Sequence, residues 1–181
     1  RLGQRELAIA NIVRSIYIVL LIPVQALSTA ANTLVSNLIG AGGIGNVMRL
    51  VKKIALVSLI VVSFCVVLLM VFPKAFLSIY TSEASLLVES VPSVCVIGVA
   101  MLVGAVANVY FSGISGTGNT QAALWLESGT LVIYALYVFV VGWWLQAPVS
   151  VCFTTEIVYY ALLLVSSFIY LKKANWQNKK I

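Results

Sequence analysis

The stretch IALVSLIVVSFCVVLLMVF, residues 54–72, decides the fold of this chain. Its 19 residues include no charged side chain, and about 20 apolar residues are enough to cross the hydrocarbon core of a bilayer as a helix. Inside lipid the backbone finds no water, so only a structure that satisfies its own N–H and C=O groups is stable there. The stretch therefore predicts a membrane-spanning α-helix.

Four further apolar runs flank this stretch and resemble it in composition. They cover residues 7–39, 87–111, 122–145 and 149–171. Apolar residues make up 62% of the chain and charged residues 9%, whereas a soluble domain carries about 25% charged residues. The sequence predicts an all-α, multi-pass membrane bundle of about five transmembrane helices, with the lipid bilayer as its main partner.

The first run is too long for one straight crossing. Its 33 residues would span about 50 Å, against a hydrocarbon core of about 30 Å. Pro23 lies in the middle and predicts a kink. The run also contains Arg14, Gln25, Asn32 and Asn37, so one side of the helix is expected to face protein or a cavity rather than lipid.

The basic residues predict the orientation, because cytoplasmic segments of membrane proteins carry an excess of Lys and Arg. Seven basic residues would lie on one side of the bilayer and three on the other. The seven are Arg49, Lys52, Lys53, Lys172, Lys173, Lys179 and Lys180, and the three are Arg1, Arg5 and Lys74. This count places the segment 40–53 and the tail 172–181 in the cytoplasm, for a protein of the plasma (inner) membrane.

The odd number of spans has a consequence for the length of the protein. With the C-terminus in the cytoplasm, five spans leave the first residues outside, and those residues show no secretory signal. At least one earlier span is then needed. The sequence therefore predicts that residues 1–181 are a fragment of a longer protein.

Enzymatic chemistry is not expected. The chain has no His, which excludes Ser-His and Cys-His nucleophilic machinery and histidine-bound zinc within it. The stretch from Gly40 to Gly45 matches G-x-G-x-x-G, but it follows a membrane helix rather than a strand and predicts a flexible turn. We expect no cofactor and no metal site. Apart from Arg14, the basic residues lie at span ends, so nucleic acid is not an expected partner either.

Charged residues inside the spans are the main functional signal. Arg14, Glu127 and Glu156 lie within apolar runs, where an ionisable group costs about 2.5–3.5 kcal/mol or more at the centre. Arg14 and Glu156 each lie seven residues from the outer end of their runs, roughly 10 Å deep, and would form a pair if their helices touch. Glu127 lies about five residues from the cytoplasmic end. Such groups either fix helix packing or handle a substrate or ion.

Uncharged polar residues add weaker candidates. Gln25 and Asn108 lie within the first and third runs, where amides usually form hydrogen bonds between helices. We include both with Arg14, Glu127 and Glu156 as candidates for cation or substrate handling. The last two runs also carry tyrosines, which are more often packing residues than substrate contacts. They are Tyr134, Tyr137, Tyr159 and Tyr160.

Two stretches resemble the multidrug and toxic compound extrusion (MATE) family. The first, ALSTAANTLVSNLIGAGGIGNVMRLVKK at residues 26–53, resembles the second helix and following cytoplasmic loop of a lobe. The second, VYFSGISGTGNTQAAL at residues 109–124, resembles the end of the fourth helix of that lobe and its loop. The family often has a Gly-x-Gly-Asp-Thr-like pattern there, and this chain has Asn119 in place of the Asp. The resemblance covers nearly the whole chain.

The resemblance implies an architecture and a mechanism. Family members have twelve helices in two six-helix lobes, so this chain would be helices eight to twelve of the C-terminal lobe, with the missing N-terminal lobe as its partner. They export small amphipathic, often cationic drugs in exchange for protons or sodium. Several members carry an acidic residue inside the tenth helix. Here that helix has Glu89 near its outer end and Asn108 deeper, which leaves Glu127, Glu156 or the other lobe for the coupling ion.

Two alternatives remain open. One is a flippase or exporter of lipid-linked sugars from the same superfamily, which shares the fold and differs in cargo. The other is a membrane scaffold that transports nothing. A scaffold needs no carboxylates inside its spans, so Glu127 and Glu156 favour transport.

Overall fold

The computed structural model describes residues 3–80, 83–144 and 148–173. All the regular structure in these ranges is helical, in this order: α1 (Gln4–Gly40), a 3₁₀ turn (Ile44–Asn46), α2 (Val47–Val71), α3 (Pro73–Leu77), α4 (Ala84–Gly116), α5 (Thr120–Phe139), a π-helical turn (Val140–Trp144), α6 (Val149–Cys152) and α7 (Thr154–Lys173). Five helical stretches are long and apolar enough to cross a membrane, which confirms the predicted fold class.

The boundaries differ most from the sequence prediction at two places. The second helix was expected from residue 54, yet α2 begins at Val47, so Arg49, Lys52 and Lys53 lie on its first turns rather than in a loop. The reason is periodicity, because Val47 and Val51 are buried one turn apart and continue the apolar face of the span. Similarly, α4 continues past residue 111 to Gly116.

The structure leaves the predicted kink at Pro23 and the predictions for the C-terminal tail untested. Pro23 lies inside α1, which continues without a break from Gln4 to Gly40, and the kink stays a prediction. Most of the tail 172–181 lies outside the described residues, including Lys179 and Lys180. The same is true of Arg1 and of the end of the run 122–145. The cytoplasmic placement of the tail likewise stays a prediction.

Helix α4 is the centre of the bundle. It packs against α1, α2 and α7, while α5 contacts mainly α7 at the edge. In its bilayer-crossing segment 56% of the residues are buried, against 11% in α5. The apolar side chains of α5 that face outward are therefore positioned to meet lipid.

Glycines allow the neighbouring helices to come close to α4. A β-carbon at Gly116 would lie 2.6 Å from the backbone oxygen of Asn32 on α1, and one at Gly113 would lie 2.9 Å from the Val51 side chain on α2. The Ser36 hydroxyl donates a hydrogen bond of 3.0 Å to the Gly116 carbonyl. Close approach at small residues is a usual way for membrane helices to associate, since lipid provides no hydrophobic drive.

An ion pair joins α1 to α4 near the N-terminal end of α4, far from Gly116. Arg5 contacts both oxygens of Glu89, with Nη2 3.0 Å from Oε1 and Nε 3.0 Å from Oε2. The sequence prediction placed both residues near the outer ends of their runs but did not pair them. Both side chains are about half exposed, so water screens the interaction.

We expect Arg5→Ala to have a small effect. Exposed ion pairs are worth about 0.2–1 kcal/mol, even though two-point Arg–carboxylate contacts lie toward the upper part of that range. Thermal unfolding of the purified protein in detergent, for Arg5→Ala, Glu89→Ala and the double variant, gives the coupling energy. A coupling of several kcal/mol would contradict this expectation.

Candidate functional site

The centre of the candidate site is Glu156, in the first turn of α7. The last membrane span, Val149–Lys173, is interrupted at Phe153, which separates α6 from α7. The Tyr17 hydroxyl from α1 donates to Oε2 of Glu156 at 3.2 Å, and the Tyr134 hydroxyl from α5 donates to Oε1 at 3.3 Å. Each carboxylate oxygen therefore accepts a hydrogen bond from a different helix, and Glu156 links α1, α5 and α7.

A second hydroxyl continues the network toward α4. Tyr160 lies one turn after Glu156, and its hydroxyl is 2.7 Å from that of Tyr17. Because a phenol has a single proton, a Tyr17 that donates to Glu156 accepts from Tyr160. We call Glu156, Tyr17, Tyr134 and Tyr160 the tyrosine–carboxylate cluster. Among the described residues, the half-buried Glu156 carboxylate has two neutral O–H donors and no cationic partner.

Packing holds the rings of this cluster in place. The ring of Tyr159 makes edge contacts with Tyr134, at 5.6 Å between centroids, and with Tyr160, at 5.2 Å. Tyr160 is only 3% exposed, and a β-carbon at Gly104 of α4 would lie 3.0 Å from its ring. The absence of a side chain at Gly104 is thus what lets Tyr160 lie flat against α4.

A small cavity opens beside Glu156. Its volume is about 220 Å³, and it lies between the end of α5 and the interruption that precedes α7. Its walls include Tyr134, Gly142, Phe153 and Thr155 in addition to Glu156. Gly142 belongs to the π-helical turn Val140–Trp144, a type of distortion that occurs frequently at functional sites.

The structure separates Arg14 from Glu156. Arg14 is exposed on α1, and within the described ranges it forms no ion pair with Glu156 or any other carboxylate. The expected pairing is therefore not present. Tyr17, three residues along α1 and about 60° around it, occupies the place beside Glu156 that the sequence assigned to Arg14.

The other predicted residues lie around the cluster or away from it. Asn108 of α4 donates to the carbonyl of Gly104 at 2.9 Å and interacts with the Tyr160 hydroxyl, so it borders the cluster. Glu127 is half-buried on α5 and interacts electrostatically with Tyr159, but it has no hydrogen bond to the described residues. Gln25 is exposed on α1 and lies away from Glu156.

Gln25 and Arg14 instead belong to an exposed polar strip on α1. We call this strip the polar face of α1; it consists of Arg14, Gln25, Thr29, Thr33 and Asn37. The last four recur at intervals of four residues and therefore share one side of the helix. The Thr29 and Thr33 hydroxyls bond the carbonyls of Gln25 and Thr29, at 2.9 and 3.1 Å. Such a surface is suited to water or protein rather than to lipid.

Sequence reasoning missed Tyr17 and treated Tyr134 and Tyr160 as packing residues. One signal was available, because Tyr17 lies in the same run as the polar residues Arg14 and Gln25.

No group of three or more Cys, Asp or Glu side chains within residues 3–80, 83–144 and 148–173 comes close enough to hold a metal ion.

Comparison with known proteins identifies most of the chain. A family model described as MatE matches residues 1–137. No curated protein and no solved structure matches the chain. The matched range includes Tyr17 and Tyr134 but ends before α7, so Glu156 lies beyond the part that the family model covers, and its candidacy depends on its geometry.

Proposed function

The chain belongs to the MatE family of membrane efflux transporters, and from this premise we propose that it forms part of a secondary antiporter. The antiporter exports amphipathic, cationic compounds in exchange for protons or sodium. We place the chain in the C-terminal lobe, as helices eight to twelve, with an N-terminal lobe of the same protein as its partner. We propose the plasma (inner) membrane as its location, with the C-terminus in the cytoplasm.

The observation that carries this proposal is the position of Glu156. A carboxylate inside a membrane span is costly unless it is paired or has a function, and Glu156 has no cationic partner among the described residues. Its two partners are neutral phenols on α1 and α5. A negative group held by neutral donors is available to a proton or another cation, which is what coupling to an ion gradient requires.

The polar face of α1 supports the same function. It lies on the exposed side of α1, while the apolar side packs into the bundle through residues such as Val13, Val24 and Val35. A second lobe facing this surface would enclose a cleft with one polar wall. We propose that cationic substrates pass along this wall and that Arg14 and Gln25 contact the water or the substrate there.

The test uses the complete reading frame expressed in bacterial cells loaded with ethidium. We expect efflux that stops when either the proton gradient or the sodium gradient is dissipated, each by its own ionophore. Efflux that continues after both gradients have been dissipated would contradict antiport. Transport of a lipid-linked sugar precursor without ethidium efflux would instead support the flippase alternative, and no transport of either cargo would support a scaffold.

A further inference from the structure

Two pairs of lysines, at residues 52–53 and 172–173, lie at the same end of the bundle. The first pair is near the start of α2, and the second pair ends α7. The residues that precede the two pairs, Val51 and Leu171, both lie within 3.6 Å of a β-carbon built at Gly113 of α4. Helix α4 therefore brings the two pairs of lysines together, although they are far apart in the sequence.

The positive charge of these lysines is not neutralised within the described part of the chain. All four side chains are exposed, and none of them forms an ion pair with a carboxylate among the residues described. Lys172 lies over the ring of Phe168, with Nζ 5.8 Å from the ring centroid, but a ring carries no net charge. An anion at this end of the bundle would therefore meet uncompensated cations.

On α2, Lys52 lies on a side of the helix that borders α4. Met70 follows it after 18 residues, which is five turns at 3.6 residues per turn, so the two residues share one side of α2. The Met70 side chain lies 2.9 Å from a β-carbon built at Gly98 of α4. Val51 also contacts α4, and Lys53 is about 200° from Val51 around the helix. Lys53 is therefore on the side of α2 that faces away from α4.

The same contrast holds for the second pair, on α7. Phe168 contacts Tyr110 of α4, with 5.9 Å between the ring centroids, and Lys172 lies over that same Phe168 ring. Lys172 is therefore on a side of α7 that borders α4. Leu171 contacts α4 at Gly113, and Lys173 is about 200° around α7 from Leu171.

An apolar strip of α4 leads away from this end along the bundle. It consists of Cys95, Val99, Leu102 and Val106, which recur at intervals of three and four residues and so share one side of the helix. Cys95 and Val99 are exposed, and the other two are half-buried. Gly113 follows Val106 after about two turns, so the strip continues to the place where α2 and α7 both contact α4.

Helices α2 and α7 border the apolar strip of α4 on its two sides. Gly98, next to Val99, contacts Met70 of α2. Val103, next to Leu102, packs against the cluster that contains Leu163 of α7. Within the described ranges α2 and α7 make little direct contact with each other. The strip is thus the floor of a groove, which we call the α2–α7 groove, with lysines at one end.

A phospholipid has the two parts that this groove can hold. Basic residues at the end of a membrane span attract anionic headgroups, and basic pockets between spans bind them. One leaflet contributes about 15 Å of hydrocarbon, which equals about ten residues of helix. An acyl chain that begins level with Gly113 therefore passes Val106 and reaches the level of Leu102. A soluble anion would leave this apolar floor uncovered, and an apolar helix would leave the lysines without an anion.

We propose that the α2–α7 groove binds one anionic phospholipid, with its phosphate held by Lys52 and Lys172 and an acyl chain along Val106 and Leu102. The residues of this site are separate from the tyrosine–carboxylate cluster. The proposal goes beyond the antiport function and does not rest on it, because it depends on the surface of the bundle and not on the cargo.

The experiment measures the dissociation constant of phosphatidylglycerol for the complete protein in detergent, by native mass spectrometry. We expect saturable binding that the double variant Lys52→Gln/Lys172→Gln weakens by about tenfold or more, because each lysine near a headgroup contributes to its attraction. The matched control is Lys53→Gln/Lys173→Gln, which removes the same charge from the same two helix ends on the sides away from α4. It should bind nearly as the wild type does.

Further arms separate the phosphate from the acyl chain and charge loss from misfolding. Lys52→Arg/Lys172→Arg keeps both charges and should retain binding. Phosphatidylcholine with the same acyl chains has no net charge and should bind the wild type more weakly, while glycerol 3-phosphate, which lacks the chains, should not compete.

Three results would overturn the proposal. The first is equal weakening in the two glutamine variants, and the second is displacement of the lipid by glycerol 3-phosphate. The third is a wild-type protein without saturable phosphatidylglycerol binding, as expected if another span of the complete protein covers the groove.

Discussion

Glu156→Gln is expected to lower ion-coupled efflux about tenfold or more while leaving the amount of protein in the membrane unchanged. Glutamine has nearly the same shape, so the packing of α1, α5 and α7 around it should survive. The substitution removes the negative charge of the side chain. The amide nitrogen of glutamine cannot accept a phenol proton, so either Tyr17 or Tyr134 loses its acceptor. Hydrogen bonds to a charged group are worth about 1.5–3 kcal/mol, which corresponds to a fall of about tenfold or more in gradient-driven efflux.

The measurement is ethidium efflux from cells that express the complete protein, normalised to its level in the membrane. Glu127→Gln is the comparison, because Glu127 also lies within a span but has no hydrogen bond to the described residues. We expect Glu127→Gln to have the smaller effect. Unchanged efflux by Glu156→Gln at normal expression would remove Glu156 from the transport mechanism.

Tyr17→Phe provides an intermediate case in the same assay. It keeps the ring and removes the hydroxyl that contacts both Glu156 and Tyr160. We expect efflux between that of the wild type and that of Glu156→Gln, since the carboxylate keeps its charge and the Tyr134 bond. An effect larger than that of Glu156→Gln would show that Tyr17 acts independently of the carboxylate.

Gly116→Ala is expected to destabilise the protein by disrupting the packing of α1 against α4. The new β-carbon would lie 2.6 Å from the Asn32 backbone oxygen, and a backbone atom cannot move aside as a side-chain tip can. Helices α1 and α4 would have to separate, which also weakens the hydrogen bond from Ser36 to the Gly116 carbonyl. Overpacking of this kind costs about 1–3 kcal/mol.

Thermal unfolding of the purified protein in detergent measures this effect, with Gly129→Ala as the control. Gly129 lies in the middle of α5, and a β-carbon there meets nothing within 4 Å. Alanine in a helix interior is favoured over glycine by about 0.5–1 kcal/mol, so the control should be neutral or slightly more stable. A Gly116→Ala protein that unfolds at or above the wild-type temperature would show that α1 and α4 do not pack closely at this point.

The number and type of helices could be predicted because they depend on local composition. A long apolar run such as residues 54–72 can form only a helix in lipid. The family resemblance depended on contiguous stretches of sequence, and the family match confirms it. The start of α2 was predicted too late, because Lys52 and Lys53 were read as the end of a loop. A helix can carry such residues on its exposed side, where long side chains reach the interface.

The partners of Glu156 could not be predicted from the sequence. Depth along a helix follows from counting residues, and both Arg14 and Tyr17 lie at depths that could match Glu156. The rotation of α1 about its axis is set by its contacts with α4, including the one at Gly116, and this rotation exposes Arg14 and turns Tyr17 inward. The same argument applies to Arg5 and Glu89, whose pairing depends on the relative positions of two helices.

The bond between Tyr17 and Glu156 joins residues 139 positions apart in the chain, and this separation constrains biogenesis. At about 5–20 residues per second, the ribosome makes Glu156 about 7–28 s after Tyr17. During that interval α1 resides in the translocon or the bilayer with its hydroxyl lacking its final acceptor. The tyrosine–carboxylate cluster is therefore completed only when the last helix is inserted, so a chain that stops before α7 leaves the Tyr17 hydroxyl without its Glu156 acceptor.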